Sequence, residues 1–236
     1  MKNNLKQYIR IYGYYQNALF DQHKLKEQTF GEKADNRKDI IPPSEIVDEL
    51  LNIRWDEYID YIVNEPDKII RKNQIPQFSK IVDGTVNLVE LMRNEGDYGF
   101  RFETLGQKLT HTTDKSAAAY TKYGENHAKL AAILDLVLII SISGTKYVYL
   151  TELGKTLADN KEVQDEVLAK LIPLIPIVQF CLRRAARRKI DVEILLQQYV
   201  SKSTAVRRAS SIRGLLKVIQ EKYNGTKYQS LLHNIF

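Results

Sequence analysis

The sequence predicts a mainly α-helical protein of the α+β winged-helix kind: an N-terminal arm followed by two tandem winged helix-turn-helix domains, each closed by a small β-hairpin wing. Three observations carry this. Between 79 and 94 the apolar residues Ile81, Val82, Val86, Leu88, Val89, Leu91 and Met92 recur at helical spacing. The β-branched and aromatic stretches 137–142 and 147–150 flank Ser143-Gly144-Thr145, a hairpin signal. Asn224-Gly225, between 219–223 and 226–229, is the strongest short turn signal in the chain and predicts a second hairpin. The order helix, helix, helix, hairpin therefore occurs twice. Asp159-Asn160-Lys161 is the expected joint, dividing 1–160 (arm and first domain) from 161–236 (second domain).

Residues 1–41 are polar, aromatic and irregular, with Tyr8, Tyr12, Tyr14 and Tyr15 ahead of a charged stretch from 21 to 39. They read as an arm with one short helix. Ser44 is a fair N-cap for a helix to about Asn52. A second covers 55–64 and is stopped by Pro66. Gly96 ends the helix over 79–94, 100–109 forms a shorter one, and a polar joint at 111–115 leads to a third ending near Leu138. Beyond the joint at 160, a helical region runs to about Arg188, kinked or split by Pro173 and Pro176. Asp191 N-caps a short helix to Tyr199, and Ser203 N-caps one to about Gln220.

The 236 residues, 44% apolar and 27% charged, suffice for packed cores. Net charge is +6, and it is unevenly placed. Residues 181–217 hold ten Lys/Arg against Asp191 and Glu193, which leaves the rest of the chain slightly negative. Such a patch attracts polyanions, because neutralising phosphates releases condensed counterions; the alternative is a solvated basic face without a partner. Cys181, the single cysteine, excludes an intrachain disulfide and is expected as a buried thiol, in keeping with a reducing cytosol. Met1-Lys-Asn-Asn-Leu-Lys is followed by no apolar core, so no signal peptide is expected. The longest apolar run, 130–142, is too short to span a bilayer and contains Asp135.

Both third helices pair an apolar seam with an opposite face of small residues. On 203–220 the seam is Ala209, Ile212, Leu216 and Ile219. Opposite lie Ser203, Arg207, Ser210, Ser211 and Gly214, a face slim enough for a major groove roughly 12 Å wide. Ser203, Arg207 and Ser211 are the expected base contacts there, with Lys202, Thr204, Arg208 and Arg213 on phosphates. On 125–138 the seam is Leu130, Ile133, Leu134 and Val137, opposite Glu125, Ala128 and Ala132. Glu125, Asn126 and Lys129 are its expected base contacts, since Glu accepts from cytosine and Asn pairs with adenine. Lys146 on the wing and Arg10 in the arm are expected on phosphates. In the alternative reading both small faces are packing or plain surface.

No catalytic constellation emerges. A metal-dependent nuclease needs clustered carboxylates and a lysine, but Pro66-Asp67 and Asp159-Asn160-Lys161 lie far apart in sequence. His127-Ala-Lys129 with Asp135 imitates a phospholipase D-type motif inside a predicted helix. No Gly-rich phosphate loop occurs, and His23, His111, His127 and His233 lack metal-ligand spacing. The chain is expected to read rather than to catalyse, with no cofactor of its own.

Ile9-Arg10-Ile11-Tyr12-Gly13-Tyr14-Tyr15-Gln16-Asn17 resembles the N-terminal arm of the DNA-recognition region of FokI-type type IIS restriction endonucleases. His127-Ala-Lys-Leu-Ala, with Val148-Tyr-Leu-Thr-Glu-Leu-Gly-Lys155, resembles the end of that family's first recognition subdomain; 161–218 resembles the second. The resemblance implies base contacts from Gln16 and Asn17, a short asymmetric duplex DNA site, a bacterial cytoplasmic setting, and Mg²⁺ only in a separate or fused nuclease domain. That family's third subdomain and nuclease domain have no counterpart before Phe236, so a recognition fragment or a specificity subunit is expected. Two other classes stay open: a winged-helix transcriptional or replication regulator, and a protein–protein adaptor using 181–217.

Overall fold

The computed structural model describes residues 3–11, 41–78, 81–96, 98–110 and 114–235. Over these the chain is mostly helical, with one small three-stranded antiparallel sheet. Helix α1 (Asn3–Ile11) buries Leu5, Tyr8 and Ile9, so the arm begins as a docked element. The Leu5 N–H donates to the Glu49 carboxylate at 3.0 Å, and Lys68 Nζ donates to the Ile9 carbonyl at 2.5 Å. Helices α2 (Pro43–Asn52) and α3 (Trp55–Asn64) follow. Pro42, not Ser44, holds the N-cap position of α2; Pro43 sits at the first helical position, where its fixed φ and missing N–H do no harm. Glu65 is extended, ψ 147°, ahead of Pro66, because proline crowds a helical residue before it.

A π-helical turn (Ile81–Val86) leads into α4 (Asn87–Glu95), then β1 (Phe100–Arg101), α5 (Phe102–Leu109), α6 (Ala117–Ile133), β2 (Val137–Ile142) and β3 (Thr145–Leu150). Strand order is β1-β3-β2, with Phe100 opposite Val148 and Ile142 opposite Thr145. Ser143 (φ 47°) and Gly144 (φ 81°) are both left-handed, as a two-residue type I′ hairpin turn requires. The first two residues expected in the 100–109 helix form β1 instead. Helix α6 stops at Ile133, short of Leu138, because Asp135 adopts φ 66° and turns the chain into β2.

Two glycines set the α5–α6 crossing. A Cβ on Gly106 would lie 1.9 Å from the Tyr120 carbonyl oxygen, and one on Gly124 would lie 2.0 Å from that of Phe102. Helix α7 (Glu152–Asp159) starts from Thr151, whose Oγ1 accepts the Gly154 N–H at 3.0 Å and donates to the Asp135 carbonyl at 2.7 Å. The Asp135 side chain is buried, and Tyr8 donates its hydroxyl to Oδ2 at 3.4 Å. Burial raises that carboxyl to about 7, against the opposing pull of the Tyr8 bond and the Lys68 charge. Burial likewise lowers Lys68 to about 8.

The remainder comprises a 3₁₀ turn (Lys161–Val163), α8 (Gln164–Leu171), a 3₁₀ turn (Ile172–Leu174), α9 (Pro176–Ala185), α10 (Val192–Leu196), α11 (Lys202–Lys222) and α12 (Gln229–His233). The two prolines split the helical region as expected, and Asp191 caps α10 by accepting the Glu193 N–H at 2.8 Å. Ser201, rather than Ser203, occupies the N-cap position of α11.

The second hairpin expectation is overturned. Residues 219–222 are the last turn of α11, and Ile219 continues the buried seam of Ile212, Leu215 and Leu216. Completing that seam in a packed core outweighs the local β bias of the segment. Asn224-Gly225 leads past Asp56 into α12. The Asp56 carboxylate accepts the backbone N–H groups of Thr226 and Lys227, each at 3.0 Å, and the Tyr223 hydroxyl. Backbone donors that a second strand would need are thereby taken.

One core cluster runs from Leu5 to Ile235 and crosses the joint expected at 160. Buried Lys170 fastens the two sides. Its Nζ donates to the carbonyls of Leu50 at 2.6 Å and Ile53 at 2.9 Å, and its own carbonyl accepts the Tyr58 hydroxyl. Gln179 donates to the Ile62 carbonyl at 3.2 Å. Among the described residues no helix is long and apolar enough to cross a membrane.

Candidate nucleic-acid interface

Helix α11 is long because its seam recurs for about four turns, and its outward face is what the seam leaves over. Ala205, Ala209, Ile212, Leu215, Leu216 and Ile219 are buried at 1% exposure or less. Lys202, Ser203, Val206, Arg207, Ser210 and Lys217 are exposed and form a face without a carboxylate as far as Lys217; exposed Glu221 continues the same stripe in the last turn. Ser203 and Arg207 thus lie where the helical wheel puts them. Thr204 is half-buried and its Oγ1 accepts the Ser201 hydroxyl at 3.0 Å. Arg213 lies 3.7 Å from Asp191, so its charge is partly matched.

Two residues expected on this face point inward. Ser211 is buried, since the seam is broader than four residues and includes position 211. Arg208 is buried as well, and its Nη1 donates to the carbonyls of Lys72 at 2.7 Å and Ile75 at 3.3 Å. Its guanidinium binds the protein's own backbone. Burial, and then the charge of Arg207, lower its pKa.

Helix α6 is rotated from its expected orientation and starts eight residues before Glu125. Ala128 is fully buried, with Tyr120, Gly124, Leu130 and Ala131, so its size serves the close α5 crossing. His127 is buried between the rings of Phe78 and Tyr123, at 4.6 and 4.5 Å between centroids. The exposed small residues are Ala117, Ala118 and Ala119 in the first turn, where the Ser116 hydroxyl accepts the Ala119 N–H at 3.3 Å. Lys115-Ser-Ala-Ala-Ala carried a legible signal for this start, an N-cap followed by good helix formers. Glu125 lies between Lys122 at 2.9 Å and Lys129 at 2.5 Å. Those bonds, Lys129 first, hold its carboxyl below the usual range. Asn126 and Lys129 are half-buried.

On the hairpin, Lys146 is exposed opposite Ser141. Arg101 of β1 reaches Tyr147, with its guanidinium 5.7 Å from the ring centroid. Arg10 is exposed and 4.0 Å from Glu65. Gln16 and Asn17 lie outside the described residues, as do Tyr12, Tyr14 and Tyr15.

The carboxylates weighed as nuclease residues are engaged elsewhere. Asp67 pairs with Arg183, and Asp159 receives two bonds of 2.8 Å from Arg93. Among the described residues no group of three His, Cys, Asp or Glu is placed to hold a metal ion. Burial raises the Cys181 thiol to about 12, which makes it a poor nucleophile. Compared with protein-family models, curated proteins and solved structures, the chain matches none of them.

Proposed function

We propose that this chain binds duplex DNA sequence-specifically, as the recognition part of a type IIS restriction endonuclease of the FokI type, with the nuclease fused or separate. The observation that carries the reading is the outward face of α11 from Lys202 to Lys217: mainly cationic and small side chains without a carboxylate, backed by a full core seam. A rod of that section suits a major groove, and Arg207 reaches a guanine edge in a bidentate pair. Residues 81–150 support it from the other side. Their order of helix, strand, helix, helix and hairpin is that of a winged helix, with the first turn of α6 as groove-facing end and Lys146 on the wing. The second block reads without a wing.

In this reading the arm from α1 carries Gln16 and Asn17 to base edges, and Arg10, Lys202 and Arg213 contact phosphates. Unlike readers in one chain suit an asymmetric site, whereas a symmetric dimer favours a palindrome. Two measurements test the proposal. Affinity for random duplex DNA, titrated with KCl, should fall linearly on a log–log scale. Selection from a random duplex pool should return a short asymmetric sequence. No binding at low salt would reject DNA recognition; a palindromic or repeated site would replace the endonuclease reading with the regulator.

A further inference from the structure

We infer that the segment 65–78 is a third DNA-contacting element, which joins the two reading helices and lays Arg71 and Lys72 on the phosphate backbone between them. The inference rests on the DNA-binding reading above.

The segment has little regular structure, only the 3₁₀ turn Lys72–Gln74, yet it is fastened at each proposed reader. At the root of the arm, Lys68 donates to the Ile9 carbonyl in the last turn of α1. At α9, Asp67 pairs with Arg183. At α11, Arg208 takes the carbonyls of Lys72 and Ile75. At α6, the Phe78 ring meets His127. Near the 3₁₀ turn the loop is held by its carbonyls, at Lys72 and Ile75, and Arg71, Lys72 and Asn73 are exposed.

The chemistry of the strip identifies the partner. No acidic residue occurs between Asp67 and Asp83. Arg71 and Lys72 therefore add two exposed positive charges beside Arg208, which holds the Lys72 carbonyl, with no carboxylate in that stretch of chain. Gathering like charges costs free energy in the isolated protein and is offset when a regularly spaced polyanion lies across them. Burying a guanidinium to hold a loop is also costly unless its donors are engaged, and here Nη1 has two backbone carbonyls.

The test uses the full chain with Arg71→Ala and Lys72→Ala combined. Both side chains are exposed and the Arg208 bonds go to backbone atoms, so unfolding curves should match the parent. Binding to random and to selected duplexes is measured over a KCl series. The expected result is an even loss of affinity on both, with the log–log salt slope reduced by about 2, close to 0.9 per phosphate contact. The charge-preserving pair Arg71→Lys and Lys72→Arg should keep the parent slope. An unchanged slope in the alanine variant overturns this inference and leaves DNA recognition standing. Loss confined to the selected site also overturns it, because that marks base contact. A parent that binds no duplex at low salt removes the DNA reading itself.

Discussion

Replacing Asp135 by Asn should make the protein more stable at pH 8 and slightly less stable near pH 4. Asp135 sits at the α6–β2 turn, and its Oδ1 has no hydrogen-bond partner among the described residues. Its carboxyl rises from 3.8 to about 7, chiefly through burial. The folded state therefore holds this proton more tightly than the unfolded chain does, so stability falls as pH climbs from about 4 to about 7 and is level beyond. At 1.36 kcal/mol per pKa unit the rise corresponds to about 4 kcal/mol of destabilisation at pH 8. An amide in the same place removes that cost but buries donors of its own, at about 1–2 kcal/mol. The expected net gain is about 2–3 kcal/mol, or a Tm higher by about 5–10 °C for a chain this long. Asparagine also tolerates the left-handed φ of 66° at this position. The assay is urea unfolding of parent and variant, followed by circular dichroism from pH 4 to 8, and the quantity read is their difference, which cancels the titrations of groups not coupled to Asp135. Lys68, lowered to about 8, contributes in the opposite sense only above that pH. A difference flat with pH, or a variant less stable at pH 8, would refute the burial argument.

Three further outcomes follow from particular contacts. Gly124→Ala forces a Cβ to within 2.0 Å of the Phe102 carbonyl; α5 and α6 must separate, at a cost of about 3 kcal/mol, and a Tm equal to the parent's would show that the crossing is loose. Arg207→Ala should relax specificity at one base pair, at about 1–3 kcal/mol; competition with single-site sequence variants reads this, and a uniform loss across sequences would assign Arg207 to phosphate. Gln16→Ala combined with Asn17→Ala should weaken binding to the selected site while leaving thermal unfolding unchanged, and an unaltered affinity would remove the arm from the recognition surface.

The legible parts of the fold were those in which local chemistry and tertiary packing agree. The type I′ turn at Ser143-Gly144, the end of α3 before Pro66, the split at Pro173 and Pro176, and the cap at Asp191 each depend on a few adjacent residues. The seam of α11 was readable because Ala209, Ile212, Leu216 and Ile219 repeat over three turns. Where two signals competed, the sequence alone could not rank them. The segment 219–223 carries both β bias and the end of a helical stripe, and the stripe prevails because Ile219 has a core to enter.

What the sequence by itself determined is the helical character, the hairpin at 143–144, the concentration of positive charge in 181–217 and the outward placement of Ser203 and Arg207. The tertiary structure alone decided which small and which charged residues face outward. Ala128 looked like part of a groove-fitting face and is buried, because α5 passes against that side of α6. Arg208 looked like a phosphate ligand and instead holds the carbonyls of Lys72 and Ile75, over 130 residues away in the chain. The physical reason is the same in both cases. A helical wheel gives the angle of a side chain about its own axis, whereas burial depends on which distant element covers that angle, and that is settled only when the whole core closes.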